Sequence, residues 1–104
     1  MHLSPDDLRT VQRILAFWAP GIPAFAYGSR VHGRHLKPFS DLDLCLKGTA
    51  RVPDRTLGEV RDAFDVSGLP MRVDVIDWHE LGDEFRALIE PDLEPVPSLT
   101  VEPA

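Results

Sequence analysis

The segment Asp41-Leu42-Asp43-Leu44-Cys45-Leu46 alternates without interruption. Side chains of a strand point to opposite faces in turn, so the leucines share one face and Asp41, Asp43 and Cys45 share the other. A face made only of leucine is a core face, and its reverse must carry carboxylates. A chain of 104 residues supplies one small hydrophobic core, so the fold has to be built against that buried face. Residues 71–76 repeat the arrangement: Val73 and Val75 fall on one face, Arg72, Asp74 and Ile76 on the other. If these two strands pair, Asp41, Asp43 and Asp74 gather into one cluster.

The remaining elements follow from local signals. Ser4-Pro5-Asp6-Asp7 is a helix start, with a capping serine, a proline suited to the first turn and acids that favour the positive end of the helix dipole. Leu8, Val11, Leu15 and Trp18 then recur at helical spacing until Pro20-Gly21-Ile22-Pro23 stops the helix. Ala24–Tyr27 reads as a short buried strand that ends at Gly28-Ser29, followed by a brief helical turn over 29–33 that Gly33 closes, and a loop from His35 to Ser40. Residues 54–66 form a second helix with Leu57, Val60 and Phe64 on one stripe, broken by Ser67-Gly68-Leu69-Pro70. Asp77 and Glu80 resemble a capping box, so a third helix is expected to about Ile89, with Leu81, Phe85, Leu88 and Ile89 inward. Leu93–Val96 adds a short edge strand. The fold class expected is α+β: a small mixed sheet of three to four strands with helices packed on one face. One domain over 1–104 is expected, its core at about 5–96 and an irregular, proline-rich tail at 97–104.

Composition narrows the function. Hydrophobic residues make up 43% of the chain, which is normal for a globular protein, and no apolar run is long enough for a membrane span. The N-terminus lacks the layout of a signal peptide, and a single cysteine, Cys45, makes no internal disulfide; a cytoplasmic location is expected. The net charge of −6 argues against coating nucleic acid through a broad basic surface, so no direct nucleic-acid binding is expected. The charge is nonetheless segregated. Residues 26–40 hold Arg30, Arg34 and Lys37 and no acid, and the aspartates begin immediately after.

This juxtaposition carries chemistry. Clustered carboxylates repel one another and persist when cations neutralise them; hard oxygen ligands in this number suit Mg²⁺ or Mn²⁺. Two such ions give the arrangement used in phosphoryl and nucleotidyl transfer. Gly28 lets backbone N–H groups approach a phosphate closely, Ser29 adds a hydroxyl at the start of a helical turn, and Arg30 and Arg34 can neutralise further oxygens. Acids for cations and a turn for anions on one sheet imply a metal-nucleoside-triphosphate substrate. Each element alone has a bland reading, since Asp-x-Asp is commonly a solvated sheet face and Gly-Ser commonly a turn; together and in this order they are much less readily chance.

The residues Tyr27-Gly28-Ser29-Arg30-Val31-His32-Gly33-Arg34, Ser40-Asp41-Leu42-Asp43-Leu44 and Val73-Asp74-Val75-Ile76 resemble the DNA polymerase β-like nucleotidyltransferase superfamily, and within it the minimal nucleotidyltransferases that accompany HEPN-domain toxins. The resemblance covers roughly residues 8–96. It implies that Asp41, Asp43 and Asp74 are catalytic and hold two Mg²⁺ (or Mn²⁺) ions, that Asp74 helps deprotonate the acceptor, and that Gly28, Ser29, Arg30 and Arg34 hold ATP as co-substrate. It further implies transfer of AMP to a hydroxyl, a tyrosine's, on a partner HEPN RNase toxin, which makes the chain an antitoxin. Two other functions remain open: an antitoxin that neutralises its partner by binding alone, and a small-molecule nucleotidyltransferase of the antibiotic-modifying type. Eleven residues separate Ser29 from Asp41, one more than the family pattern, and the extra residue is expected in the His35–Phe39 loop.

Several residues read as structural. His32 and His35 lack further ligands for a metal. Cys45 suits a packed position. Arg72 is either an ion-pair partner of Asp74 or a nucleotide contact. Trp18 and Trp78 suit core or partner contacts, the acids at 54, 59, 62 and 65 a solvated helix face, and Asp77 a helix cap because it points away from Asp74.

Overall fold

The computed structural model describes residues 1–99. Helix α1 (Pro5–Trp18) leads into strand β1 (Ala24–Tyr27), a single helical turn α2 (Ser29–His32) and strand β2 (Leu42–Leu46). Helix α3 (Asp54–Asp65) crosses back to strand β3 (Val73–Asp77), after which come a 3-10 turn (Trp78–Glu80), helix α4 (Asp83–Ile89), a 3-10 turn (Glu90–Asp92) and strand β4 (Glu94–Pro95). The sheet order is β3-β2-β1-β4. β1 runs antiparallel to β2 and to β4, whereas β2 and β3 are parallel. A parallel pair needs a crossover, and α3 supplies it.

The local signals act as expected. The Ser4 hydroxyl accepts the Asp7 N–H at 3.1 Å. Gly33 closes α2 in the left-handed region with φ 73°. Leu42, Leu44 and Leu46 are buried against Val11 and Leu15 of α1 and Leu57, Val60 and Phe64 of α3, together with Ala24, Ala26, Val73 and Val75. One face of the sheet therefore carries the core and packs α1 and α3; the α+β class is the expected one, whereas the expectation that all helices share that face is corrected by α4, whose Phe85 meets Tyr27 on the reverse face.

Three features differ in detail. The third helix is broken: a 3-10 turn ends at Glu80 and α4 begins only at Asp83. Gly82 sits between them in extended conformation and no side chain caps α4. Of the residues expected inward, Ile89 is buried while Phe85 and Leu88 are exposed. Residue Asp41 lies just before β2 rather than in it. Finally, residues 1–3 belong to the packed structure: Met1 and Leu3 lie against the core, and the His2 N–H donates to the Arg30 carbonyl at 2.6 Å. Val96–Leu99 have no regular structure; the rest of the expected tail lies outside the described residues.

The reverse face of the sheet is covered in part. Trp78 and α4 lie over its Cys45 half: Cys45 is fully buried, the Lys47 ammonium sits 4.1 Å from the Trp78 ring centre, and Arg86 Nε donates to the Trp78 carbonyl at 3.0 Å. Phe85 meets Tyr27 edge-on with ring centres 6.3 Å apart. Asp43 and Asp74, on the other half, are only partly buried. Burial pushes the Cys45 thiol up to about 11, with Asp77 adding to the shift. The thiol is thus protonated and inert, a packed residue as expected.

Candidate active site

Registry builds the site. Tyr27 pairs with Asp43 across β1 and β2, and Asp43 pairs with Asp74 across β2 and β3. The three side chains form a row on the face opposite the leucines, on strands about 4.8 Å apart. Burial pushes the Asp43 carboxyl up to about 6, and the neighbouring charges of Asp74 and then Asp41 add to the shift. Burial pushes the Tyr27 phenol up to about 12, with Asp43 the next cause. Both shifts report partial desolvation together with uncompensated negative potential in one small area.

Gly28 ties the turn to the carboxylates. Its φ of 78° and ψ of −155° belong to a region that glycine alone populates readily. A Cβ built there would stand 2.8 Å from Asp43 Oδ2. The Gly-Ser turn and the Asp43 carboxylate are thus in contact, and any other residue at 28 would drive them apart. Ser29 follows at the first position of α2, whose main chain closes on itself through Val31 N–H to Gly28 O at 2.9 Å and Gly33 N–H to Ser29 O at 2.8 Å.

Arg30 is corrected. Expected to contact nucleotide, it is 7% exposed. Its guanidinium donates to the main-chain carbonyls of His2 (2.9 Å), Pro38 (2.9 Å) and Ser40 (3.0 and 2.9 Å). The planar fork is consumed in holding the 35–40 loop onto α2, which sets where Asp41 starts. The 35–40 loop is strained at one place: His35 has φ 57°, the single positive φ among the described residues other than glycine. Arg34 remains exposed on that loop. His32 Nδ1 accepts the Arg34 N–H at 2.9 Å, a local bond within the turn.

Asp74 is paired with Arg72 through a contact of 3.2 Å from Nε to Oδ1, with the Arg72 side chain exposed. Asp41 is exposed. Among the described residues, no three His, Cys, Asp or Glu side chains are drawn together as a metal-binding group. Asp43 and Asp74 stand side by side on neighbouring strands. The donor set itself fits hard divalent cations: carboxylate oxygens only, one of them, on Asp43, displaced toward the protonated form by burial and by its acidic neighbours.

Asp77 is a cap, as its position opposite to Asp74 required. It is 1% exposed; Oδ1 accepts the His79 N–H at 3.2 Å and Oδ2 the Val52 N–H at 2.8 Å. Sequence reasoning passed over Tyr27 as a site residue. The signal was present: Ala24 and Ala26 take the core positions of β1, which leaves Phe25 and Tyr27 on the carboxylate face.

The site is thus a four-stranded mixed sheet with side-by-side carboxylates on its two parallel strands and a glycine-serine turn against one of them. No protein-family profile matches the chain. Over 89 residues it is 34% identical to the probable protein adenylyltransferase MntA of Haemophilus influenzae, covering 86% of this chain and 77% of that protein. The crystal structure of a toxin-antitoxin with AMP-PNP superposes with a TM-score of 0.70 at 15% identity, covering 88% of this chain and 73% of the other. A mutant of the toxin-antitoxin MntA-HpeT gives a TM-score of 0.69 at 13% identity, with the same coverage. At those identities the likeness to the solved structures is one of fold. The identity to the Haemophilus protein is one of family: the chain belongs to the MntA family of minimal nucleotidyltransferases. No helix among the described residues is long and apolar enough to cross a membrane.

Proposed function

We propose that this chain transfers AMP from ATP to a tyrosine hydroxyl of a partner HEPN RNase toxin and so acts as its antitoxin. The observation that carries the reading is the contact between the Gly28 turn and Asp43, because it brings an anion-binding backbone and a cation-binding carboxylate to one point. Its relative, the Haemophilus protein, is a probable protein adenylyltransferase, and one of its structural neighbours is a toxin-antitoxin with AMP-PNP.

In this reading Gly28 and Ser29 seat the triphosphate, and Arg34 neutralises an outer oxygen. Asp41, Asp43 and Asp74 would hold two Mg²⁺ or Mn²⁺ ions, which supply charge neutralisation at the α-phosphate and the leaving pyrophosphate. Asp74, kept in place by Arg72, takes the proton of the acceptor hydroxyl. The acceptor oxygen forms a bond to the α-phosphorus, the bond from that phosphorus to the bridging oxygen breaks, and pyrophosphate leaves. Tyr27 remains protonated and lines the site next to Asp43.

The test is labelling of the adjacent gene's product with [α-³²P]ATP and Mg²⁺ by the purified chain. Transfer of label, lost in the Asp41→Asn/Asp43→Asn double variant, is the expected result. Absence of label from all four nucleotides with folded proteins would overturn the reading. Neutralisation of the toxin that survives the double variant would replace it with binding alone.

A further inference from the structure

Half of the large exposed apolar side chains among the described residues lie around the carboxylates. They are Phe39, Phe85 and Leu88, at 72%, 40% and 70% exposure; the others, Phe17, Trp18 and Val66, lie at the C-terminal ends of α1 and α3. Phe39 precedes Asp41 by two residues. Phe85 packs on Tyr27, which pairs with Asp43, and Leu88 follows Phe85 by one helical step on α4. Apolar side chains thus stand at the Tyr27 end of the row, and another, Phe39, is exposed on the loop that leads into Asp41 and Asp43.

The Phe39 side chain is exposed, and the main chain on either side of it is held. Arg30 holds the carbonyls on either side of it, Pro38 O and Ser40 O. The Ser40 N–H donates to the Lys37 carbonyl at 3.1 Å, and the Ser40 hydroxyl accepts the Lys37 N–H at 2.8 Å. A buried guanidinium therefore presents a phenyl ring to water at the rim of the site. With its backbone already ordered, an aromatic here loses only the freedom of two side-chain torsions when a partner covers it, which favours a binding hot spot. Charges differ on the two sides. His35 and Lys37 are exposed beside Phe39, with Asp41 two residues further on at the site itself, while Asp83, Glu84 and Glu90 are exposed on and after α4, where Arg86 is the one cation and is engaged with Trp78.

We infer that Phe39 on one side and Phe85 with Leu88 on the other form the surface on which the acceptor protein docks. The occupant is a protein face with an apolar strip that carries carboxylates toward the Lys37 loop and Lys or Arg toward α4, with the acceptor hydroxyl between them. The polarity of the two rims fixes the direction in which that strip lies over Asp43 and Asp74. The inference rests on the proposed function for the identity of the occupant.

Three variants test it: Phe39→Ser/Leu88→Ser, Lys37→Glu, and the two combined. Each is titrated against the purified product of the adjacent gene by calorimetry, and separately against AMP-PNP with Mg²⁺. The expected result is partner affinity weakened about tenfold or more in the double variant and further in the combined one, with AMP-PNP affinity within about twofold of wild type and an unchanged unfolding midpoint. Acceptor KM should rise while kcat at saturating acceptor holds. Partner affinity within about twofold of wild type would overturn the docking surface, as would a loss confined to AMP-PNP, which would make Phe39 a nucleotide contact. Self-association of the wild type that Phe39→Ser/Leu88→Ser abolishes would overturn it too, by making a second copy the occupant. Wild type that binds the partner tightly and transfers nothing would refute the proposed function and leave the docking surface standing.

Discussion

Replacing Asp43 with asparagine should stabilise this protein while abolishing its activity. In the fold the carboxyl is raised from 3.8 to about 6 by burial and by the charges of Asp74 and Asp41. The folded state therefore binds more protons than the unfolded state between those values. By linkage, stability contributed by this group is greatest below pH 4, falls as pH rises through 4 to 6, and levels off above. A shift of that size corresponds to about 3 kcal/mol for a fully desolvated group. The carboxylate is half-exposed, so solvent screening reduces it to about 1–2 kcal/mol. The Asp43→Asn variant keeps the shape of the side chain without its charge and should recover that amount at pH 7.5, a rise in Tm of about 5–10 °C for a domain of this size. At pH 4 wild type and Asp43→Asn should melt together. Millimolar Mg²⁺ or Mn²⁺ should raise the wild-type Tm and narrow the gap at pH 7.5. The assay is differential scanning fluorimetry across pH 4–8 with and without metal. A variant less stable than wild type at pH 7.5, or a gap independent of pH, would refute the electrostatic account of the site.

Other substitutions separate the scaffold from the chemistry. Gly28→Ala places a Cβ against Asp43 Oδ2 in a glycine-only conformation; it should cost about 1–3 kcal/mol in urea unfolding and remove transfer. Arg30→Ala leaves the carbonyls of His2, Pro38 and Ser40 without their donor, for a loss of about 3 kcal/mol in the same assay; Arg30→Lys should recover only part, since an ammonium lacks the planar fork. Asp77→Ala strands the buried Val52 N–H and should destabilise by about 1–3 kcal/mol, and Asp77→Asn should recover only part of that, since an amide has one acceptor oxygen for the two N–H groups of Val52 and His79. Both Asp77 variants should keep transfer when folded, and Asp74→Ala should lose transfer and keep the fold, measured by label incorporation and far-UV circular dichroism.

The sequence by itself determined whatever depends on local geometry. Alternation placed the leucines of β2 on one face and Asp43 on the other, because a strand has a period of two wherever it lies. The Ser4 cap, the stop at Pro20, the left-handed Gly33 and the opposite directions of Asp74 and Asp77 are likewise properties of short segments, and the structure keeps them. Tertiary structure decided what depends on neighbours distant along the chain. Whether Arg30 met a phosphate or a carbonyl turned on the position of residues 2, 38 and 40, which no local pattern encodes. The break at Gly82 left Phe85 to find Tyr27, far away in sequence, and left Leu88 in water. The pairing of Asp43 with Asp74, and the rise in proton affinity that follows, exist only because α3 returns the chain to lay β3 parallel to β2. Hydrophobic alternation selects the face on which charges must stand; the registry of separate strands selects which charges meet.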